Sequence, residues 1–158
     1  MIFVTTGTQL PFNRMLGTIE KWAERNQNKE VIAQTCKSDL RFKWIKAYSF
    51  LQPKEYSDYI KRADVIVGHA GMGTIITALE HSLPVIVMAR RFELGEHRND
   101  HQLSTVAKFQ NRTGIYIAND EKELEQLLYN IRHLKAQAKE PIKQRRQLVD
   151  FLYSEIRS

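Results

Sequence analysis

The alternation of apolar, strand-like runs with helical segments constrains the fold of this chain more than any other feature. In one unit of the pattern, an apolar run at residues 65–67 precedes a glycine-containing turn, a helical segment at 75–81 and a second apolar run at 84–88. Strands that are apolar throughout are typical of a parallel sheet that is buried on both faces. We therefore predict an α/β fold, in which helices cover both faces of a parallel sheet.

The same pattern extends along the whole chain, whose 158 residues suit a single domain, 1–158. The other predicted strands are at residues 1–5, 30–35, 42–48 and 115–118. The other predicted helices are at residues 13–25, 53–63 and 99–109.

Two helices are predicted near the end of the chain. Asp120 and Glu123 form a capping pair for the first, which carries Leu124, Leu127, Leu128 and Ile131 at helical spacing. After Pro141 a last amphipathic helix covers about residues 141–156.

Two glycine-containing loops follow predicted strands. Gly7 and Thr8 come after the first strand, and the stretch His69-Ala70-Gly71-Met72-Gly73-Thr74 joins the strand at 65–67 to a helix. In parallel sheets the carboxyl ends of the strands share one edge, so both loops should open there. Free backbone N–H groups, the positive end of a helix and glycine together favour a phosphate. The predicted phosphate-binding residues are Gly7, Thr8, His69, Gly71, Gly73 and Thr74.

Each of these residues also has a purely structural interpretation. Gly7 and Thr8 either bind phosphate or only turn the chain. His69 either donates to a diphosphate oxygen or is satisfied by backbone at the end of a strand. Thr74 either contacts the ligand or caps the helix. The convergence of the two loops favours binding.

A polar stretch at residues 96–102 follows an apolar strand. Asp100 and Gln102 offer donors and acceptors that suit sugar hydroxyls. Two alternatives are a metal held by His97 and His101, which lie four residues apart, and simple capping of the next helix by Asn99 or Asp100. Because no third ligand occurs at a recognisable spacing, we predict no metal site.

The formal charge is +6, and the excess lies near the end of the chain, where residues 132–157 include seven basic and three acidic side chains. Such a patch favours anionic lipid headgroups or an acidic partner, or it is a solvated helix face. Nucleic acid is not expected, because no aromatic residues are interleaved with the charges. The lone Cys36 and the lack of any apolar run of about 20 residues suggest a cytoplasmic protein.

Three segments together resemble a known family. They are residues 3–9, Phe3-Val4-Thr5-Thr6-Gly7-Thr8-Gln9, the loop at 69–74, and Asp100-His101-Gln102. In this order they resemble the C-terminal domain of family 28 glycosyltransferases, over nearly the whole chain. The resemblance is closer still to the stand-alone donor-binding subunit of the two-part UDP-N-acetylglucosamine transferase of lipid-linked oligosaccharide synthesis, and to bacterial counterparts in capsule and exopolysaccharide assembly.

The resemblance implies a Rossmann-like sheet that corresponds to the C-terminal half of a GT-B glycosyltransferase. It also implies roles for individual residues. His69 would stabilise the diphosphate together with the two glycine loops, while Phe50 and Leu51 would contact the uracil. The family commonly has a glutamate for the ribose hydroxyls where this chain has Thr77, eight residues after His69. Thr77 and Glu80 are therefore the candidates for the ribose. The donor sugar would meet Asp100, His101 and Gln102.

The resemblance also implies a function. The chain would be the UDP-sugar-binding subunit of a hexosyltransferase, inactive without a membrane-associated subunit that supplies a polyprenyl-diphosphate-linked acceptor and the base. That partner would dock on the last helix, at about residues 141–156, and recruit the chain to the inner face of the membrane. Neither a cofactor nor a metal is expected. Isolated chains would pair as homodimers through the surface that otherwise binds the partner. The alternatives are a non-catalytic enhancer of a partner transferase and a different sugar-nucleotide enzyme, such as an epimerase, which this chain is too short to form.

Overall fold

A computed structural model describes residues 1–27, 29–138 and 142–157. In this part of the chain one sheet contains six parallel strands in the order β3-β2-β1-β4-β5-β6. The strands are β1 Ile2–Thr5, β2 Val31–Gln34, β3 Lys46–Tyr48, β4 Val65–His69, β5 Val85–Met88 and β6 Ile115–Ala118. The prediction of an α/β fold with a parallel sheet is confirmed.

Helices cover both faces of the sheet, as the continuous apolar strands predict. They are α1 Asn13–Arg25, α2 Pro53–Arg62, α3 Met72–Glu80, α4 His101–Phe109, α5 Glu121–Tyr129 and α6 Ile142–Arg157. Apolar side chains of α1 and α5 pack in one core, and those of α2, α3, α4 and α6 pack in the other. No helix among the described residues is both long and apolar enough to cross a membrane.

The strand order reverses next to β1. Its neighbour on one side is β2, whereas its neighbour on the other side is β4, and the chain crosses the sheet between them. At such a point the connections leave in opposite directions, which opens a crevice beyond the carboxyl ends of the strands. Both predicted glycine loops follow the two strands at this point.

The predicted strand at residues 42–48 is too long, since β3 contains only Lys46–Tyr48. The cause is a contact distant in sequence. The Glu20 carboxylate on α1 accepts hydrogen bonds from the backbone N–H groups of Lys43 and Trp44, at 2.6 and 3.0 Å. These donors are therefore satisfied by a helix side chain, and the segment joins the sheet only after them.

Several predicted helix boundaries also shift. The helix predicted at 75–81 begins earlier, at Met72, because Gly71 in the loop is its N-cap. The helix predicted at 99–109 begins at His101, whose N–H donates to the Asn99 side chain at 3.1 Å.

The two predicted C-terminal helices exist. Asp120 caps α5 through the Glu123 N–H at 2.8 Å, whereas the Glu123 carboxylate bonds the N–H of Asn119. This helix ends at Tyr129, so Ile131 lies instead in a short 3₁₀ turn. Helix α6 covers Ile142–Arg157. The predicted start at Pro141 lies outside the described residues.

Candidate functional site

A cleft of about 640 Å³ opens at the carboxyl ends of β1 and β4. Its lining includes Gly7 and Thr8 from the first loop, and Gly71 and Gly73 from the second. The two glycine loops therefore meet at one rim of the sheet, as their positions after the strands predict. The volume lies within the usual range for small-molecule sites, roughly 300–1,000 Å³.

The three glycines at this edge of the sheet are needed for different structural reasons. Gly7 has a φ of +79°, which other residues rarely adopt, and a Cβ there would lie 2.9 Å from Cε1 of His69. A Cβ at Gly71 would overlap the His69 ring. A Cβ at Gly73 would meet no atom within 4 Å. Gly7 and Gly71 thus make room for the imidazole, and Gly73 leaves open space in the cleft.

Helix α3 begins at the cleft. Gly71 is its N-cap, and the Thr74 N–H bonds back to the Gly71 carbonyl at 3.2 Å. The first N–H groups of a helix, here those of Met72 and Gly73, have no carbonyl of their own helix to bond. They carry the positive end of the helix dipole, so this end of the cleft attracts an anion.

His69 ends β4 and lines the cleft. Burial is the main cause that lowers its pKa to about 4, and the positive charge of Arg90 lowers it further, while the Thr5 backbone acts in the opposite direction. The imidazole is therefore neutral near pH 7. Thr74 Oγ1 lies 3.5 Å from His69 Nδ1. A neutral imidazole in this position donates one hydrogen bond without bringing a charge.

Arg90 is a cleft residue that the sequence analysis missed. It follows β5, and its side chain is among the cleft-lining groups although the residue is only 2% exposed. Its guanidinium donates to the carbonyls of Thr6 at 2.7 Å and Leu10 at 2.6 Å. A detectable signal was present: an arginine directly after an apolar run, at the edge where the glycine loops open.

Gln34 was also missed. It is the last residue of β2, is 4% exposed and lines the cleft. Its Nε2 donates to the Gly7 carbonyl at 3.2 Å, and its Oε1 accepts from the Leu51 N–H at 3.0 Å. Gln34 thus connects the first glycine loop with the loop after β3. Its signal in the sequence was a polar residue at the end of an otherwise apolar run.

The other predicted contact residues divide into two groups. Leu51, Thr77 and Gln102 line the cleft. Gln102 is 8% exposed, and its Oε1 accepts from the Arg90 N–H at 3.0 Å. Residues that do not contribute to the lining in the described structure are Phe50, Glu80, Asp100 and His101.

Each residue of this second group has a different position. Phe50 is 47% exposed beside Leu51. Glu80 is exposed at the end of α3 that lies away from the cleft. The Asp100 carboxylate accepts from the Phe92 N–H at 3.0 Å, and His101 is exposed at the start of α4. The role of each remains a prediction.

The charges around the cleft favour an anion. The ionisable side chains that line it in the described structure are Arg90, His69, His97 and Tyr56, and no carboxylate is among them. Burial raises the pKa of Tyr56, so its phenol stays neutral. Nδ1 of His97 is buried and has no hydrogen-bond partner among the described residues. His97 and His101 belong to no cluster of potential metal ligands within the described ranges.

Comparison with known proteins adds to this geometry. The model of the glycosyltransferase family 28 C-terminal domain matches residues 1–153. An NMR solution structure of ALG13 is similar over 96% of this chain and 96% of that chain, with 17% identity and a TM-score of 0.65. The crystal structure of the glycotransferase of kitacinnamycin is similar with 17% identity and a TM-score of 0.59, over 99% of this chain and 38% of that one. At these identities the likeness shows a shared fold. No curated protein matches the chain.

Proposed function

The chain belongs to the C-terminal domains of glycosyltransferase family 28, and on that premise we propose that it is the donor-binding subunit of a two-component glycosyltransferase. Its substrate is a UDP-sugar. A separate, membrane-associated subunit holds a polyprenyl-diphosphate-linked acceptor. Together the two subunits transfer a hexose or an N-acetylhexosamine to that acceptor in the synthesis of a capsular or exported polysaccharide.

One observation carries the proposal: two glycine loops and a helix N-terminus meet in one cleft. The open space at Gly73 gives a diphosphate direct access to the first turn of α3. Gly7 and Thr8 approach the same space from the first loop. A diphosphate bound there would be surrounded by amides and by the neutral His69, and no lining carboxylate in the described structure would repel it.

The same groups suit the chemistry of sugar transfer. An acceptor hydroxyl oxygen attacks the anomeric carbon of the sugar, the bond from that carbon to the diphosphate oxygen breaks, and UDP leaves with the electron pair. Negative charge grows on the departing diphosphate, where the amides of α3 and His69 would donate hydrogen bonds. Preorganised donors of this kind stabilise a transition state strongly.

The hydroxyl proton needs a base, which we assign to the partner subunit. In the described structure the residues that line the cleft include neither Asp nor Glu. His69 is committed to the diphosphate in this scheme. A second subunit that brings both acceptor and base would complete the reaction, and this chain would be inactive alone.

The remaining contacts follow the position of the diphosphate. Leu51 and its neighbour Phe50 would meet the uracil, and Thr77 would lie nearer to the ribose than Glu80 does. Gln102 would reach the sugar from the lining of the cleft, and Asp100 and His101 lie beside it in sequence. No metal or other cofactor takes part in this proposal, in which the amides and His69 face the diphosphate and Arg90 lines the same cleft.

Helix α6 is the proposed docking site for the membrane-associated partner. Val149 and Leu152 are buried against the rest of the fold, whereas Phe151 is 58% and Tyr153 46% exposed. Exposed aromatic groups beside a basic stretch suit an interface. Docking there would bring the chain to the inner face of the membrane, and in isolated chains the same surface would form a homodimer.

Calorimetric titration with UDP tests the donor site. We expect the chain to bind UDP and His69→Ala to abolish this binding. His81→Ala is the matched control, because His81 is exposed at the opposite end of α3 and should leave binding unchanged. An absence of UDP binding, both alone and with the partner, would refute the proposal.

A non-catalytic enhancer of a complete transferase is the second candidate. The observation that favours it is Thr77, which lines the cleft where the family commonly has a glutamate. The two functions differ in what the partner needs from this chain. If the partner stays fully active with a chain that carries Gly73→Val and Gln102→Ala but an intact α6, the enhancer function is correct. A loss of activity supports donor binding.

A further inference from the structure

The guanidinium of Arg90 fixes the first glycine loop through hydrogen bonds to its backbone carbonyls. It donates to the carbonyl of Pro11 at 2.6 Å, in addition to those of Thr6 and Leu10 at 2.7 and 2.6 Å. These acceptors lie at both ends of residues 6–11, the loop that contains Gly7 and Thr8. A single side chain, 79 to 84 positions away in sequence, therefore fixes both ends of this loop.

The same residue connects the loop to other walls of the cleft. Its guanidinium also donates to the Glu96 carbonyl at 3.3 Å, and its backbone N–H donates to Gln102 at 3.0 Å. The carbon of the guanidinium lies 4.9 Å from the centre of the Phe12 ring, which supports it from one side. Arg90 thus joins the connections after β1 and β5 to α4.

Within the described ranges the guanidinium of Arg90 donates no hydrogen bond to a carboxylate. Its four acceptors there are all backbone carbonyls. Burial lowers the pKa of Arg90 more than the negative charge of the nearby Glu96 raises it. This carboxylate accepts from Arg14 and from the Arg91 N–H instead. A buried cation that only neutral dipoles contact remains costly, and an anion nearby reduces this cost. The cleft that it lines is where such an anion would bind.

We propose that Arg90 is the positioning residue of the donor site. Its guanidinium holds residues 6–11 in the conformation that receives the diphosphate, and the bound diphosphate offsets its buried charge. This role rests on the proposed function, and it adds a requirement that the glycine loops alone do not make: an arginine fork, which has the donors to reach several carbonyls at once.

The test measures the affinities of uridine and UDP for Arg90→Lys. Lysine keeps the charge, but its ammonium has fewer donors and lacks the planar fork. We expect the affinity for UDP to fall about tenfold or more, as for the loss of one hydrogen bond to a charged group. The affinity for uridine should change less than about twofold, because that ligand has no phosphate for the loop to receive.

Arg91→Lys is the matched control. Arg91 occupies the next position, but its guanidinium donates to the Asn119 carbonyl at 2.7 Å, outside the cleft. It should bind UDP like the unsubstituted chain. If Arg90→Lys weakens uridine and UDP equally, or weakens neither, the positioning role is wrong. If the unsubstituted chain binds no UDP, either alone or with the partner, the donor site itself is refuted, and this role with it.

A measurement on the unsubstituted chain covers the case in which Arg90→Lys does not fold. The side-chain N–H signals of Arg90 and the amide signals of residues 6–11 can be followed by NMR in an isotope-labelled sample. We expect UDP to shift both sets and uridine to leave them nearly unchanged. Arg90 signals that do not respond to bound UDP would overturn the proposal.

Discussion

Arg14 and Glu96 form a two-point ion pair that joins α1 to the segment after β5. Arg14 Nε lies 2.7 Å from one carboxylate oxygen of Glu96, and Nη2 lies 2.9 Å from the other. Both side chains are only 12% exposed. Glu96 also accepts from the Arg91 N–H at 2.9 Å, so the pair fixes the backbone next to Arg90.

Breaking this pair should destabilise the fold. Arg14→Met leaves a nearly buried carboxylate without its main partner, and we expect a loss of about 2 kcal/mol in the free energy of unfolding. The control is Arg62→Met, whose guanidinium meets Glu30 at 3.3 Å on the surface, where both side chains are more than half exposed. That change should cost less than about 1 kcal/mol. Equal losses in chemical denaturation would contradict the distinction.

Two glycines in one loop should respond differently to alanine. Gly73→Ala adds a methyl group in open space, so the free energy of unfolding should stay the same or rise by up to about 1 kcal/mol. The methyl group would nevertheless stand where the diphosphate approaches, and UDP affinity should fall. Gly71→Ala displaces the His69 ring and should lower both stability and affinity. Thermal unfolding and UDP titration of both variants check this prediction.

The pKa of His69 predicts a dependence of stability on pH. The pKa is lowered from the ordinary value of 6.5 to about 4 in the fold, so between these values the unfolded chain binds the proton more readily. Stability from this residue is complete above pH 6.5 and is lost as the pH falls toward 4. The slope is at most about 1.4 kcal/mol per pH unit.

The comparison with His69→Gln isolates this contribution from the other acid groups. The unfolding free energy of the unsubstituted chain minus that of His69→Gln should decrease from pH 7 to pH 4.5. The first pH lies about half a unit above the ordinary pKa of 6.5, and the second lies about half a unit above the value of about 4 in the fold. A difference that stays constant over this interval would show that the imidazole is not buried as the structure has it.

Thr77→Glu should strengthen the binding of UDP. Thr77 lines the cleft, and its hydroxyl donates to the Gly73 carbonyl at 2.8 Å instead of facing a ligand. A carboxylate there would accept hydrogen bonds from the ribose hydroxyls, with a gain of about tenfold in affinity. The deoxyribose analogue of UDP should gain much less. A similar gain for both nucleotides would place Thr77 away from the ribose.

Local patterns predicted the parts of the fold that depend on neighbours in sequence. The bounds of α1 agree with the prediction because Met15, Leu16, Ile19 and Trp22 form one buried face. Strand β6 agrees as well, since Gly114 and Asn119 flank a short apolar run. The shortened β3 depends on Glu20 from another element, which no local pattern reveals.

In the candidate site, too, local patterns predicted some residues and missed others. The glycine loops could be found because strand, turn and helix follow one another within a few residues. Arg90 and Gln34 were missed because their partners are mainly carbonyls and N–H groups of distant loops. A polar residue at the end of an apolar run marks both positions in the sequence, but nearly every residue carries backbone carbonyl and N–H groups. The partners of Arg90 and Gln34 are therefore shown only by the fold.

Helix α6 packs against α3, and α3 is only nine residues long. The first turn of α3 carries the amides that line the cleft, and one side of the same helix packs against α6. A protein that binds α6 would therefore act, through α6, on the helix whose first amides line the cleft, so that assembly and the affinity of the cleft for a ligand would be linked.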